Sequence, residues 1–391
     1  MKTRFLLTIS LAMGLLVQPL AQNSEALMKL VLEQNKKLKV AREYLQLSIL
    51  EAGTGNTPPD PELEFGYLFG KPSDLGNRID FGITQELDFP TAYFNRSTLK
   101  KIKTSQAELE YILTRQEVLH QAKQLWIEQI HLHQLHHLLG ERLHQAQTIQ
   151  YHMEQKLEAG EANILELSQS RLMVASLEGE LEEVLTMTEE LRIALKEITG
   201  GVDLEIEAAN FPPPLPIVAD SMLEAYRLSP YVQYYHQELQ KKEAEKKLAV
   251  SNHLPKLSAG YYSESVTDAA FRGFRVGVSV PLWEKANTVN RAKSEVAFAE
   301  AEVDRFTFQQ EKEVRQKLNK LESYRTRAQK LEEALGAVNS LALLATSLEN
   351  GEISMSEYFY TSDFYFRNQA QLLGYKRDLL LQEADLLKVF L

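Results

Sequence analysis

The chain has 391 residues, no cysteine and a formal net charge of −11 at pH 7. An apolar content of 44% with mixed charge excludes intrinsic disorder, and the acidity argues against a nucleic-acid partner, which selects a basic footprint. Without cysteine there are no disulfides, thiolate metal sites, thiol nucleophile or cysteine-linked lipid.

Residues 1–21, MKTRFLLTISLAMGLLVQPLA, place two basic residues before an apolar run and end on a small residue, which reads as a secretory signal peptide cut at Ala21. No later stretch approaches the roughly 18 apolar residues of a membrane helix, so any membrane contact falls to strands or a surface. A first helix is expected near 24–52. A β-hairpin is expected over 62–89, where Leu63, Phe65 and Tyr67 alternate with Glu64, Gly66 and Leu68, and Ile79, Phe81 and Ile83 with Asp80, Gly82 and Thr84. Its strands span about 9–11 residues, the length of a tilted transmembrane β-strand. Leu109, Ile112, Leu119, Ala122, Trp126 and Ile130 then keep helical period through a helix near 92–157, which ends in a corner near 158–164 before a helix over 164–198.

Residues 211–219, beginning Phe211-Pro-Pro-Pro-Leu-Pro216, form an extended linker because proline suits neither helix interior nor central strand. Beyond it the order of parts repeats. Ser221-Met-Leu-Glu224 has the form of a capping box opening a helix near 221–250. A second hairpin is expected over 256–282, a helix near 286–348 with near-heptad spacing from Val314 to Ala345, a corner near 349–354, and a last helix near 354–390. Pro61-Glu-Leu63-Glu-Phe-Gly66-Tyr67 aligns with Pro255-Lys-Leu257-Ser-Ala-Gly260-Tyr261, Phe81-Gly82 with Val276-Gly277, and the Leu-Glu-x-Gly-Glu corner at Gly160 with that at Gly351. The offsets are nearly constant at about 190–195 residues, so 22–210 and 220–391 are tandem repeats.

Four strands are too few to close a barrel, because an open edge in lipid leaves backbone groups unsatisfied. If these strands enter a membrane, the chain must oligomerise. The duplicated helix, hairpin and helical-hairpin plan, the Pro-x-Leu openings at Pro61 and Pro255, the Ser279-Val-Pro-Leu282 strand exit and the corners at Gly160 and Gly351 together resemble the TolC-like bacterial outer membrane efflux proteins over essentially the whole mature chain. One departure is Gln85-Glu86-Leu87 where the second repeat has Val-Pro-Leu. The resemblance implies a mainly α fold with transmembrane β: a homotrimer in which four strands per protomer build a 12-stranded barrel and long helical hairpins build a periplasmic tunnel. It also implies an outer membrane duct of a tripartite efflux or type I secretion system, working with a periplasmic adaptor and an inner-membrane pump, in contact with outer membrane lipid, and without cofactor, nucleic acid or enzymatic activity.

On that resemblance Glu166 and Glu357, each six residues past the turn glycine, are candidates for an acidic ring at the tunnel entrance, with Glu161 and Glu352 beside them. Gly160, Gly351, Leu157 and Leu348 mark the tip turns and the expected adaptor contact. The plainer alternative is that Glu158, Glu161, Glu349 and Glu352 are solvated turn residues. The aromatics Tyr358-Phe359-Tyr360 and Phe364-Tyr365-Phe366 are read as packing between tip helices. Seven of the nine histidines lie between His120 and His152, and His133, His137 and His144 fall within about 40° of one another on an ideal helix. They are weak metal candidates and raise a heavy-metal efflux duct as an alternative, against a merely solvated or interprotomer face. A periplasmic adaptor or coiled-coil scaffold is the alternative of another class.

Overall fold

The computed structural model describes residues 18–71, 76–160, 163–203, 210–266, 269–281, 283, 285–336 and 340–391. Most of the leader reading and Glu161 and Leu282 therefore lie outside the described residues. In chain order the elements are α1 (Gln18–Gln34), α2 (Lys36–Gly53), β1 (Glu62–Leu68), β2 (Arg78–Leu87), α3 (Pro90–Glu158), α4 (Ile164–Ile198), α5 (Ala219–Arg227), α6 (Pro230–Ser251), β3 (Lys256–Val266), β4 (Ala269–Ser279), α7 (Thr288–Gly336), α8 (Ser340–Glu349) and α9 (Met355–Leu387), closed by a 3₁₀ turn at Lys388–Phe390. At 1.5 Å per residue the 69 residues of α3 extend for about 100 Å. No described helix is long and apolar enough to cross a membrane.

Two expected helices are each two. Asn35 separates α1 from α2: its side-chain oxygen accepts from the Leu38 N–H at 3.0 Å, and its amide donates to the Ile198 carbonyl at 2.7 Å, at the end of α4. Ser229-Pro230 separates α5 from α6, with Ser229 as N-cap and proline at the first turn, where its missing N–H costs nothing. Residues 337–339, between α7 and α8, lie outside the described residues. The expected capping box at Ser221 is not formed, because α5 starts at Ala219 and puts Ser221 inside the helix.

The chain divides into two compact units, one from Met1–Val40, Thr114–Tyr226 and Glu311–Leu391, the other from Ala41–Leu113 and Arg227–Gln310. Both draw on both repeats. In the first, Leu27, Val31, Leu38, Ile127, Ile130, Leu177, Leu191 and Leu380 share one core across α1, α2, α3, α4 and α9. Met222, Val314, Leu321, Leu379 and Leu386 share another across α5, α7 and α9. Each fully buried leucine contributes about 1.5–3 kcal/mol.

In the second unit the two hairpins join into one antiparallel sheet of order β1-β2-β3-β4. The β2–β3 pairing runs from Ile79↔Ser265 to Leu87↔Leu257. Helices of this unit are tied by Asn95 Nδ2 to Ser251 Oγ at 2.6 Å, by Gln106 Nε2 to Glu238 Oε2 at 2.6 Å, and by a Tyr235–Phe306 stack with ring centroids 4.0 Å apart.

Candidate functional site

The two corners share two local devices, a left-handed turn glycine and a capping box. At the second, Gly351 takes φ 73°, its N–H donates to the Leu348 carbonyl at 3.1 Å, and the Glu352 N–H reaches the Ser347 carbonyl at 2.8 Å. This pair of bonds is a Schellman motif, which satisfies carbonyls a helix end leaves open and needs a left-handed residue. At the first, Gly160 has φ 75° and donates to the Leu157 carbonyl at 3.1 Å. Leu157 and Leu348 thus hold equivalent positions.

The glutamates six residues past each glycine close the next helix. Ser354 is the N-cap of α9: its hydroxyl accepts from the Glu357 N–H at 3.2 Å, and Glu357 Oε2 accepts from the Ser354 N–H and hydroxyl, both at 2.8 Å. Asn163 caps α4 in the same way, its Oδ1 accepting from Leu165 and Glu166, with Glu166 Oε2 accepting from the Asn163 N–H at 3.2 Å. Both are complete capping boxes. The backbone and side-chain bonds from Ser354 pull the Glu357 carboxyl below the usual carboxylate range. Sequence reasoning missed this role, although Asn163-x-x-Glu166 and Ser354-x-x-Glu357 are readable signals. Glu158 and Glu352 are exposed without a cap role.

The corners also pack on each other. Met153, Leu167 and Met355 form a small core with Ile149, Leu157, Leu348 and Phe359 against it, and Ser356 Oγ meets Gln169 Oε1 at 3.4 Å across the two. Behind this core Arg142 pairs with Asp363 and lies over the Phe366 ring, while Arg367 also pairs with Asp363. The aromatic run divides: Tyr358 and Phe366 are buried, whereas Tyr360 and Phe364 are exposed. The arrangement is a pair of packed corners edged with carboxylates.

His133, His137 and His144 are exposed along α3, and His137 faces Glu141 at 3.8 Å. Among the described residues no three His, Cys, Asp or Glu side chains are grouped closely enough to hold a metal ion. His131 is buried instead, and desolvation lowers its pKa to about 4.

The sheet has two chemically distinct faces, fixed by its register. One row reads Glu64, Gly82, Tyr262, Gly273; the adjacent same-face rows bring Glu62, Thr84, Gly260 and Arg275, and Gly66, Asp80, Glu264 and Phe271. Arg78 joins Asp80 at 2.8 Å and Glu264 at 3.2 Å on this polar face. The opposite face aligns Phe65, Phe81, Ser263 and Arg272, and then the apolar row Leu63, Ile83, Tyr261 and Phe274. Its side chains are open, with Phe274 90% exposed and Val276 84%. β1 and β4 are the sheet's edges. An exposed apolar surface of this kind marks contact with lipid or another protein.

No protein-family model matches the sequence, and no curated protein matches it. The fold does have solved counterparts. The chain is similar to the CmeC outer membrane channel of Campylobacter jejuni with a TM-score of 0.79 at 18% identity, covering 94% of this chain and 85% of that one. It is similar to the outer membrane protein VceC of Vibrio cholerae with a TM-score of 0.73 at 15% identity, over 94% and 95% of the two chains. CusC, whose structures concern folding and transmembrane channel formation, gives a TM-score of 0.71 at 16% identity over 94% and 92%.

Proposed function

We propose that this chain, which has the fold of TolC-like outer membrane channels, is a passive outer membrane duct. The carrying observation is the four-stranded sheet with one exposed apolar face, one polar face and two free edges. Lipid accepts the apolar face, water the polar face, and neither accepts the edges. Closure with two further copies gives a 12-stranded barrel, within the size range that spans outer membranes. Long helices and paired tips then line the periplasmic approach, and Glu166, Glu357, Glu352 and Glu161 border its entrance, with Gly160, Gly351, Leu157 and Leu348 offered to an adaptor. An inner-membrane pump supplies the energy, in a tripartite efflux or type I secretion assembly. The ungrouped histidines give no support to a dedicated metal duct, and a scaffold or adaptor has no use for a two-faced sheet with Phe274 and Val276 open to solvent.

The test is cell fractionation, light scattering in detergent and planar-bilayer recording. Recovery from the outer membrane as a trimer with discrete conductance is expected; a soluble monomer without conductance overturns the reading.

A further inference from the structure

The two free edges of the sheet carry opposite charge. β1 has Glu62 and Glu64 and no basic residue, whereas β4 has Arg272 and Arg275 and no acidic one. The register puts Glu62, Glu64 and Arg275 on the polar face, where Glu62 and Arg275 end a single row that passes through Thr84 and Gly260. Charge on the inner strands is settled within the chain, since Asp80 on β2 and Glu264 on β3 share Arg78. Among the described residues Glu62 and Glu64 have no cationic partner and Arg275 no carboxylate, and all three are exposed. The Arg275 guanidinium lies over the Tyr262 ring at 4.4 Å, which holds it along the polar face without neutralising it.

These charges discriminate between the ways of covering an edge. Pairing β1 with β1 of a second copy, or β4 with β4, is self-matching and sets Glu64 beside its own copy or Arg275 beside its own. Like charges so placed destabilise a strand pair and reject the wrong partner. Pairing β4 with β1 is head to tail: it brings arginine to glutamate and repeats from copy to copy until a ring closes. Alternation adds a second constraint. The polar face has to continue the polar face across the junction, so Arg275 meets Glu62 or Glu64 and not Leu63 or Phe65.

We propose that the partner covering β1 is β4 of a second copy of this chain, and that Arg275 of one copy pairs with Glu62 and Glu64 of the next at every seam. Whichever glutamate stands directly opposite, the other is its diagonal neighbour and within reach of an arginine side chain. The pairing rests on the duct reading and adds to it which edge meets which, and the ion pairs that enforce the choice. Because the pair lies on the polar face, water and not lipid surrounds it, so its contribution is to partner selection more than to stability.

The test uses the chain's lack of cysteine. Within one copy β1 and β4 stand three strand spacings apart, about 14 Å, too far for a disulfide. Full-length protein in detergent carrying Glu64→Cys with Arg275→Cys, or Glu62→Cys with Arg275→Cys, can therefore cross-link only between copies. On oxidation, covalent bands that stop at three copies are expected on a non-reducing gel from at least one of the two pairs. The charge is tested separately: Arg275→Glu should lower trimer recovery by about tenfold, because each seam exchanges an attraction for a repulsion, and adding Glu62→Arg and Glu64→Arg should restore it. A trimer that cross-links through neither pair, a covalent dimer from Arg275→Cys alone, or a recovery that Arg275→Glu leaves unchanged overturns the seam and leaves the duct standing. A soluble monomer without conductance overturns both.

Discussion

At the scale of the residue, Glu357 has two separable jobs. Its carboxylate closes the capping box of α9, and the proposed duct also puts it at the entrance. Glu357→Gln should speed amide exchange through residues 355–358 and reduce cation preference in bilayers; exchange alone would assign it to the cap. Because its pKa is depressed, the cap is complete above the usual carboxylate range and is lost as pH falls through the lowered value. Ser354→Ala removes the cap from the other side and should cost about 1 kcal/mol in denaturant unfolding. Asp385 offers a cleaner acid transition: its bond from His120, with Lys317 beside it, holds its pKa at about 2. Its contribution is whole near neutrality and disappears from about pH 4 down to about 2, so Asp385→Asn should lower Tm at pH 7 and flatten the acid limb.

At the scale of the element, glycine positions differ by what surrounds them. Gly351→Ala places a Cβ in open space, so only its φ of 73° opposes the change, by about 1–2 kcal/mol. Gly200 shares that φ, but a Cβ there would lie 2.2 Å from the Gln34 carbonyl oxygen, so Gly200→Ala should lower Tm much further. These elements were unequally legible. The α4 span was readable to the residue, since its apolar period begins at one cap and ends at one break. Asn35 was not, because its partner Ile198 is 163 residues away and nothing local marks the break. Ser229-Pro230 was legible and was passed over in favour of Ser221. The strands β2, β3 and β4, of 10, 11 and 11 residues, have the length expected from the sequence, whereas β1 has only seven; Ser263 and Ser265 interrupt the apolar alternation, but pairing with Arg272 and Ala270 continues β3 through them. The tips were half legible: the glycines announced the turns, but the glutamates were read for charge alone and not for capping.

At the scale of the whole molecule, the sheet's apolar face carries the sharpest prediction. Phe274→Lys, at its most open position, should reduce membrane insertion by about 2–4 kcal/mol if it lies near the bilayer midplane, read as loss from the membrane fraction. Gly273→Lys, on the opposite face beside Tyr262, should insert normally and alter conductance. The division into units has a further meaning in time. Residues 41–113 complete no compact body until 227–310 have been synthesised, and the core of Leu27, Leu38, Ile127 and Leu177 lacks Leu380 and Ala384 until the last helix is made. A nascent chain of this design cannot complete its sheet-bearing unit from the first repeat alone, unlike an independently folding domain. Two gene fragments cut at the linker should each aggregate alone and recover a soluble product only when expressed together.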